Sequence, residues 1–280
     1  MADTNQSDLD FEKFLLAEYL KHGSIDKVFK LHHFDLPISF ASYHRLLKEF
    51  GIIKSAGPNS KLSESLYLLS LLANYKGSLE KIYRLAPKKL QISLNTLHRI
   101  LHYTRLGLTR RQGTALIITQ QNNPDQILVG NDLSLSNSNL GQKGDYSLPM
   151  GHSKTGEDPK DSITRVLQQE VFTDLVINHD FPQTIVPEHP KPIMYINIAD
   201  IRVAVYHLEL SKTPNFSSFK LTNMKLRNIA ELLTEQLRPG VGDILQKYLD
   251  LQKNQNQSRV LEFASSLNSQ IYALAKLPSK

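Results

Sequence analysis

Cysteine is absent from all 280 residues, which removes disulfides, thiolate zinc sites, iron–sulfur ligation and cysteine nucleophiles together. Any metal would have to be held by oxygen or imidazole. No run approaches the roughly 18 consecutive apolar residues of a membrane span, so no membrane partner is expected. The opening MADTNQSDLD is polar and acidic, with the pattern of neither a secretory signal nor a transit peptide, and a cytoplasmic location is the expectation. Also missing are a P-loop, a dinucleotide-binding glycine fingerprint and a nucleophile elbow. With 40% hydrophobic and 21% charged residues the chain has the make-up of a folded globular protein, and its length suits one to three domains. Its net charge of +6 permits nucleic-acid binding without requiring it. Where that charge sits matters more than its total.

The pattern changes near residue 112. Before it, apolar residues recur at helical spacing. After it come short β-rich runs at 114–119, 126–129, 193–198 and 202–210, alternating with helical segments, as in a mixed α/β domain. The Asn-, Ser- and Gly-rich stretch 130–144 reads as an exposed loop, and KNQNQS after Gln252 as a linker. The tail 259–277 has helical periodicity. The expected division is therefore 1–111 helical, 112–252 mixed α/β, and 253–280 linker and C-terminal helix.

The helical half contains a duplication. Gly23-Ser-Ile-Asp-Lys-Val-Phe-Lys-Leu reappears as Gly77-Ser-Leu-Glu-Lys-Ile-Tyr-Arg-Leu. At the same offset Leu36 matches Leu90, Ile38 matches Ile92, Ser39 matches Ser93, and His44-Arg45 matches His98-Arg99. A register shared by core and non-core positions alike points to an internal repeat. Each copy predicts three helices, at 10–22, 24–33 and 39–50, then at 61–75, 78–86 and 93–104. Ser24, Ser78, Ser39 and Ser93 are expected N-caps, and Gly23 and Gly77 stand where a helix terminates in a left-handed residue. A trihelical unit with a turn before its last helix resembles the helix-turn-helix class. That resemblance implies nucleic acid as a partner, with duplex DNA, RNA and protein left open. Tyr43, His44, Arg45 and Lys48 are expected to face outward on the third helix of copy one. Asn95, His98, Arg99 and His102 are their counterparts in copy two, with Lys88 and Lys89 before them and Arg105, Arg110 and Arg111 after. Of these, Arg45, Lys48, Arg99, Arg105, Arg110 and Arg111 are the candidate nucleic-acid contacts, since arginine reads guanine edges and lysine neutralises phosphate. Charged helix faces are most often simply solvated, and trihelical repeats also dock proteins.

The chemistry-bearing stretch is Leu148-Pro-Met-Gly151-His-Ser-Lys-Thr-Gly-Glu157-Asp-Pro-Lys-Asp-Ser-Ile-Thr-Arg165-Val-Leu-Gln-Gln-Glu170-Val-Phe-Thr173. It resembles the Nudix box, G-x5-E-x7-R-E-U-x-E-E-x-G-U with U a bulky aliphatic residue, with Gly151, Glu157, Arg165, Leu167 and Glu170 at matching positions. Gly113-Thr-Ala-Leu-Ile-Ile-Thr followed by Gln126-Ile-Leu-Val is similar to the family's opening hairpin, and Leu237-Arg-Pro-Gly-Val-Gly-Asp-Ile-Leu to its closing turn and helix. The resemblance implies an α/β/α sandwich, so the expected fold class is α+β: a tandem trihelical region, a Nudix-type sandwich and a C-terminal helix.

The resemblance further implies that carboxylates spaced i, i+3 and i+4 on the box helix hold magnesium against the diphosphate of a nucleoside diphosphate derivative while water attacks phosphorus. It also implies a Glu157–Arg165 brace between loop and helix. The sequence departs from the pattern where that chemistry sits. Val166 and Gln169 replace two of the three carboxylates, Phe172 replaces the second glycine, and Glu170 is the remaining metal candidate. Magnesium can bind through one or two carboxylates plus substrate phosphates, so loss of two weakens the site. Glu170, Glu157 and Arg165 are thus the catalytic candidates, and Gly151, His152 and Gln169 the ligand-binding ones. Glu188, His189 and Asp200 have no assigned place. Three readings follow: a nucleotide-derivative-binding regulator with weak or no hydrolysis joined to a nucleic-acid-binding region; an active hydrolase using Glu170 with a replacement acid such as Glu188; or a protein-interaction scaffold.

Overall fold

The structure, a computed structural model, describes residues 2–55, 78–85, 93–106, 111–133, 143–198, 201–211, 215–253 and 259–269. The helix expected at 61–75, Gly77, Lys88, Lys89, Arg110, Asp200, residues 134–142 of the expected loop and the tail beyond 269 lie outside the described residues, as does the side chain of Arg105. No described helix is long and apolar enough to cross a membrane.

Copy one of the duplicated unit forms α1 (Ala2–His22), α2 (Ile25–Leu31) and α3 (Phe40–Glu49). The punctuation read from the sequence holds: Gly23, at φ +69°, donates its N–H to Tyr19 O at 2.7 Å, a backbone conformation that glycine adopts without a Cβ clash. The Ser24 and Ser39 hydroxyls accept the Lys27 and Ser42 N–H groups at 3.4 and 3.1 Å. Copy two contributes α4 (Leu79–Leu85) and α5 (Leu94–Arg105), with Ser78 accepting from Lys81 N at 3.3 Å.

Eight strands among the described residues form one mixed sheet: β1 (Arg111–Gln120), β2 (Asn123–Asp132), β3 (Tyr146–Ser147), β4 (Met150–Ser153), β5 (Met194–Ile198), β6 (Ile201–Leu210), β7 (Leu221–Asn228) and β8 (Leu261–Ala264). Their order is β3-β2-β1-β6-β5-β8, with β4 on β1 and β7 on β2. The central pair β1–β6 is parallel, from Arg111 opposite Ile201 to Gln120 opposite Leu210. β1 is apolar at successive positions because both its faces are buried. Ala115 and Ile117 join one core, Leu116 and Ile118 the other.

On the Leu116 face lie α6 (Pro159–Glu170) and α7 (Thr173–Ile177), packed through Ile163, Val166, Leu167, Val171 and Phe172. On the Ala115 face lie α8 (Ile229–Leu232) and α9 (Val241–Lys253), joined there by Leu79, Leu97 and Leu101 of copy two. α1–α3 enclose a third core that takes in Val176 of α7. The two copies of the repeat therefore pack against different layers. Gly240, at φ +88° before α9, has Ile198 where a Cβ would stand, at 2.6 Å, so only glycine fits that turn.

Several expectations are corrected. Tyr43 does not face outward: it is fully buried, and its hydroxyl donates to Leu15 O. It shares the inward stripe of Leu46 and Leu47, one turn along the helix. The α2–α3 connection spans residues 32–39, longer than the three- to four-residue turn of a helix-turn-helix. The tail begins as strand β8, parallel to β5, where helix was expected. Leu261 and Phe263 are partly buried and the residues after each are exposed, and over so short a segment a period of two is not separable from helical spacing. β7 had no counterpart among the expected strands.

Candidate functional site

The box segment folds as β4, a loop and α6. β4 lies antiparallel along the first half of β1, with Gly151 opposite Thr114 and His152 opposite Gly113. Asp158 caps α6 by accepting Lys160 N–H at 2.8 Å, and Pro159 occupies the first turn, where its missing N–H costs no helical bond. The expected brace forms. Glu157 and Arg165 are in direct ionic contact with side-chain exposures of 6% and 3%. Arg165 Nη2 also donates to His152 O at 2.6 Å, and Glu157 Oε2 accepts Lys154 N–H at 3.0 Å. Under this brace the hydroxyls of Thr114, Ser153 and Ser162 bond mutually, Ser153–Ser162 at 2.8 Å and Thr114–Ser153 at 2.9 Å. A Cβ built on Gly151 would meet Val166 Cγ2 at an ordinary 3.5 Å, so space alone does not demand glycine there.

At the other end of α6 the stripe Val166, Gln169 and Glu170 is buried, with exposures of 2%, 5% and 6%. Each polar member is already engaged. Glu170 Oε2 accepts Met150 N–H at 2.9 Å, and Glu170 Oε1 receives the Lys220 ammonium at 3.0 Å. Gln169 takes a weaker bond from Lys220 at 3.4 Å on its carbonyl and donates its amide to Ser55 Oγ at 3.0 Å. Gln168, one residue earlier, accepts Ile53 N–H at 2.9 Å and donates to Gly51 O at 2.8 Å. The segment 51–55 that leaves α3 is thereby strapped along the box helix. Tyr19 completes the strap by accepting Ser55 N–H at 3.0 Å. Burial pushes the Tyr19 phenol up, opposed by its bonds with Ser55 and the charge of Arg165.

The residues present do not fit a magnesium ion. Such an ion takes oxygen ligands in near-octahedral geometry at about 2.0–2.1 Å. Here one carboxylate faces the place, both its oxygens have partners, and one partner is itself a cation. Among the described residues no group of three or more His, Asp or Glu side chains is arranged to hold a metal. Glu188 and His189 are exposed in a loop and join none of these contacts. The His152 backbone carbonyl accepts from Arg165 within the brace.

Of the nucleic-acid candidates, Arg45 and Lys48 are exposed on α3, with Arg45 donating to Ser42 Oγ at 3.0 Å. Arg99 is exposed on α5, while Arg111 is the first residue of β1, partly buried and paired with Ile201. The basic residues are thus dispersed over two helices and a strand. Sequence reasoning missed Gln168, Ser55 and Lys220. Gln168 stands at a freely variable position of the box, and nothing in the local sequence of the other two marks them.

No protein-family model and no curated protein matches the sequence. Among solved structures the chain is similar to a Nudix hydrolase from Nitrosomonas europaea, at 11% identity over 55% of this chain and 78% of that one, with a TM-score of 0.41. It is similar also to an ADP-ribose pyrophosphatase from Streptococcus suis, at 14% identity over 55% of this chain and 99% of that one, TM-score 0.37. A third is the dihydroneopterin triphosphate pyrophosphohydrolase of E. coli, at 10% identity over 51% of this chain and 97% of that one, TM-score 0.35.

Proposed function

We propose that the chain is a Nudix-type module that does not turn over nucleoside diphosphate derivatives, and that it serves as the regulatory core for a nucleic-acid-binding helical region. One observation carries the first half: the sole carboxylate on the stripe of Val166, Gln169 and Glu170 is engaged by Met150 N–H and Lys220. Hydrolysis of a diphosphate linkage by a carboxylate-held cation needs lone pairs that face the substrate, and this stripe faces protein. Binding of a nucleoside diphosphate derivative without turnover would leave the protein a sensor. Exposed Arg45, Lys48 and Arg99 support the second half as phosphate contacts. The long α2–α3 connection favours electrostatic contact with the backbone over insertion of a recognition helix.

The test has two arms. Incubation with nucleoside triphosphates, ADP-ribose and dinucleoside polyphosphates, with magnesium or manganese, should release products no faster than a protein-free control. Sustained turnover abolished by Glu170→Gln would overturn the reading in favour of a hydrolase. Duplex DNA titrated at low salt should bind, and each neutral substitution (Arg45→Gln, Lys48→Gln or Arg99→Gln) should lower the magnitude of the slope of log affinity against log salt by about 1. Failure to bind any nucleic acid at low salt removes that arm.

A second reading, the protein scaffold, is favoured by Leu31, Phe34 and Phe40, which are 50%, 61% and 38% exposed around the α2–α3 connection. A stable partner lost on Phe34→Ser, with no nucleic acid bound, would select it.

A further inference from the structure

We infer that the Lys220 ammonium is the resident counter-charge of the box helix and closes this face to divalent metal. The inference deepens the proposed function at the same site and rests on it. Lys220 is not a loose surface lysine. Its backbone N–H donates to Ser218 Oγ at 3.0 Å and its carbonyl accepts Leu133 N–H at 2.8 Å, so both flanks of the residue are fixed. Ser218 Oγ also accepts Leu221 N–H at 3.1 Å and reaches Gln169 O at 3.5 Å, tying the turn before β7 to the end of α6. From that anchorage the ammonium is 3.0 Å from Glu170 Oε1 and 3.4 Å from Gln169 Oε1. The Glu170 side chain is 8% exposed and that of Lys220 29%, so the pair is largely withdrawn from water, where screening is weak.

Gln169 fits this arrangement as an amide. Its carbonyl faces the ammonium while its NH2 donates to Ser55 Oγ at 3.0 Å. A carboxylate at 169 would offer only acceptors, and Ser55, whose N–H already donates to Tyr19, would have to turn its hydroxyl proton inward. The amide therefore joins an intramolecular cation to the 51–55 strap. A divalent ion approaching Glu170 would have to displace the ammonium or share one carboxylate with a like charge, and like charges at such range oppose each other. The counter-charge that the stripe needs is covalently part of the chain.

The test uses the full-length protein and Mn2+ as probe, read by the paramagnetic resonance of the free ion. Wild type should leave the Mn2+ signal unchanged. Lys220→Met combined with Gln169→Glu should take up one Mn2+ per chain at least tenfold more tightly, and Glu170→Gln added to that pair should abolish uptake. Wild-type binding as tight as that of the double variant would overturn the inference. A urea-unfolding cycle of Lys220→Met, Glu170→Gln and both together gives a readout independent of metal and of activity. The double variant should lose less than the sum of the singles, and Lys220→Arg should keep most of the midpoint that Lys220→Met loses. If Lys220→Met alone does not fold, recovery of folded protein on adding Glu170→Gln supports the inference, and no recovery overturns it. Turnover in the substrate panel sinks the proposed function; strictly additive singles in the cycle sink the role of Lys220 whatever the panel gives.

Discussion

The two ends of α6 are held in different ways. At its start, the Glu157–Arg165 pair, the Asp158 cap and the three hydroxyls of Thr114, Ser153 and Ser162 form a self-contained brace between β1, β4 and α6. At its end, Gln168, Gln169 and Glu170 bond to Gly51, Ile53, Ser55, Met150 and Lys220, most of them far away in sequence. The start holds the loop between β4 and α6 in place; the end is an internal joint. The brace is made by residues near in sequence, whereas the one carboxylate on the stripe, Glu170, is paired with the distant Lys220.

Three substitutions test that contrast, in descending order of expected effect. Arg165→Met leaves Glu157 buried and unpaired, and should cost roughly 3–5 kcal/mol of unfolding free energy in denaturant titrations. A loss below about 1 kcal/mol would place the pair among surface bridges and dissolve the brace. Gln168→Ala leaves the Ile53 N–H and Gly51 carbonyl without their side-chain partner, and should cost about 1–3 kcal/mol. Limited proteolysis near residues 51–55 should speed up in that variant alone; unchanged cleavage would show that the strap is held by other contacts. Asp158→Ala removes the cap and should cost about 1 kcal/mol, with the strap still protected. Were it to loosen the strap as Gln168→Ala does, the two ends of α6 would be one cooperative unit.

The sequence is most transparent where structure is local. Caps at Ser24, Ser39 and Ser78, the Gly23 terminator and the Glu157–Arg165 brace are all within a few turns of their partners, and each is found where the residues place it. The presence of a β-rich run located β1, β2, β5 and β6 within a few residues at each end. It failed for β7 and β8, which carry polar residues and are specified by pairing to β2 and β5 rather than by their own pattern. Tyr43 misled because a hydroxyl beside His44 and Arg45 reads as polar surface, while its ring completes a helix stripe inward. The duplication was legible as a register, but not the use of its copies. Val176 of α7 finishes the core of one, and Leu97 and Leu101 of the other enter the core beneath the sheet. Lys220 and Ser55 were invisible because their roles exist only once distant segments meet. Gln169, read alone, looked like the loss of a ligand; beside Ser55 and Lys220 it is an amide with work for both of its ends.

Among the described residues β8, Leu261–Ala264, is the last strand on its side of the sheet, laid along β5. Without it the β5 backbone would offer a row of unpaired N–H and C=O groups as a template for a stranger's strand. With it, that β5 edge is paired, and Glu262 of β8 is joined to Arg202 of β6 at 2.8 Å. Strand β8 thus acts as a selvedge, finishing the β5 edge that would otherwise lie open to another chain.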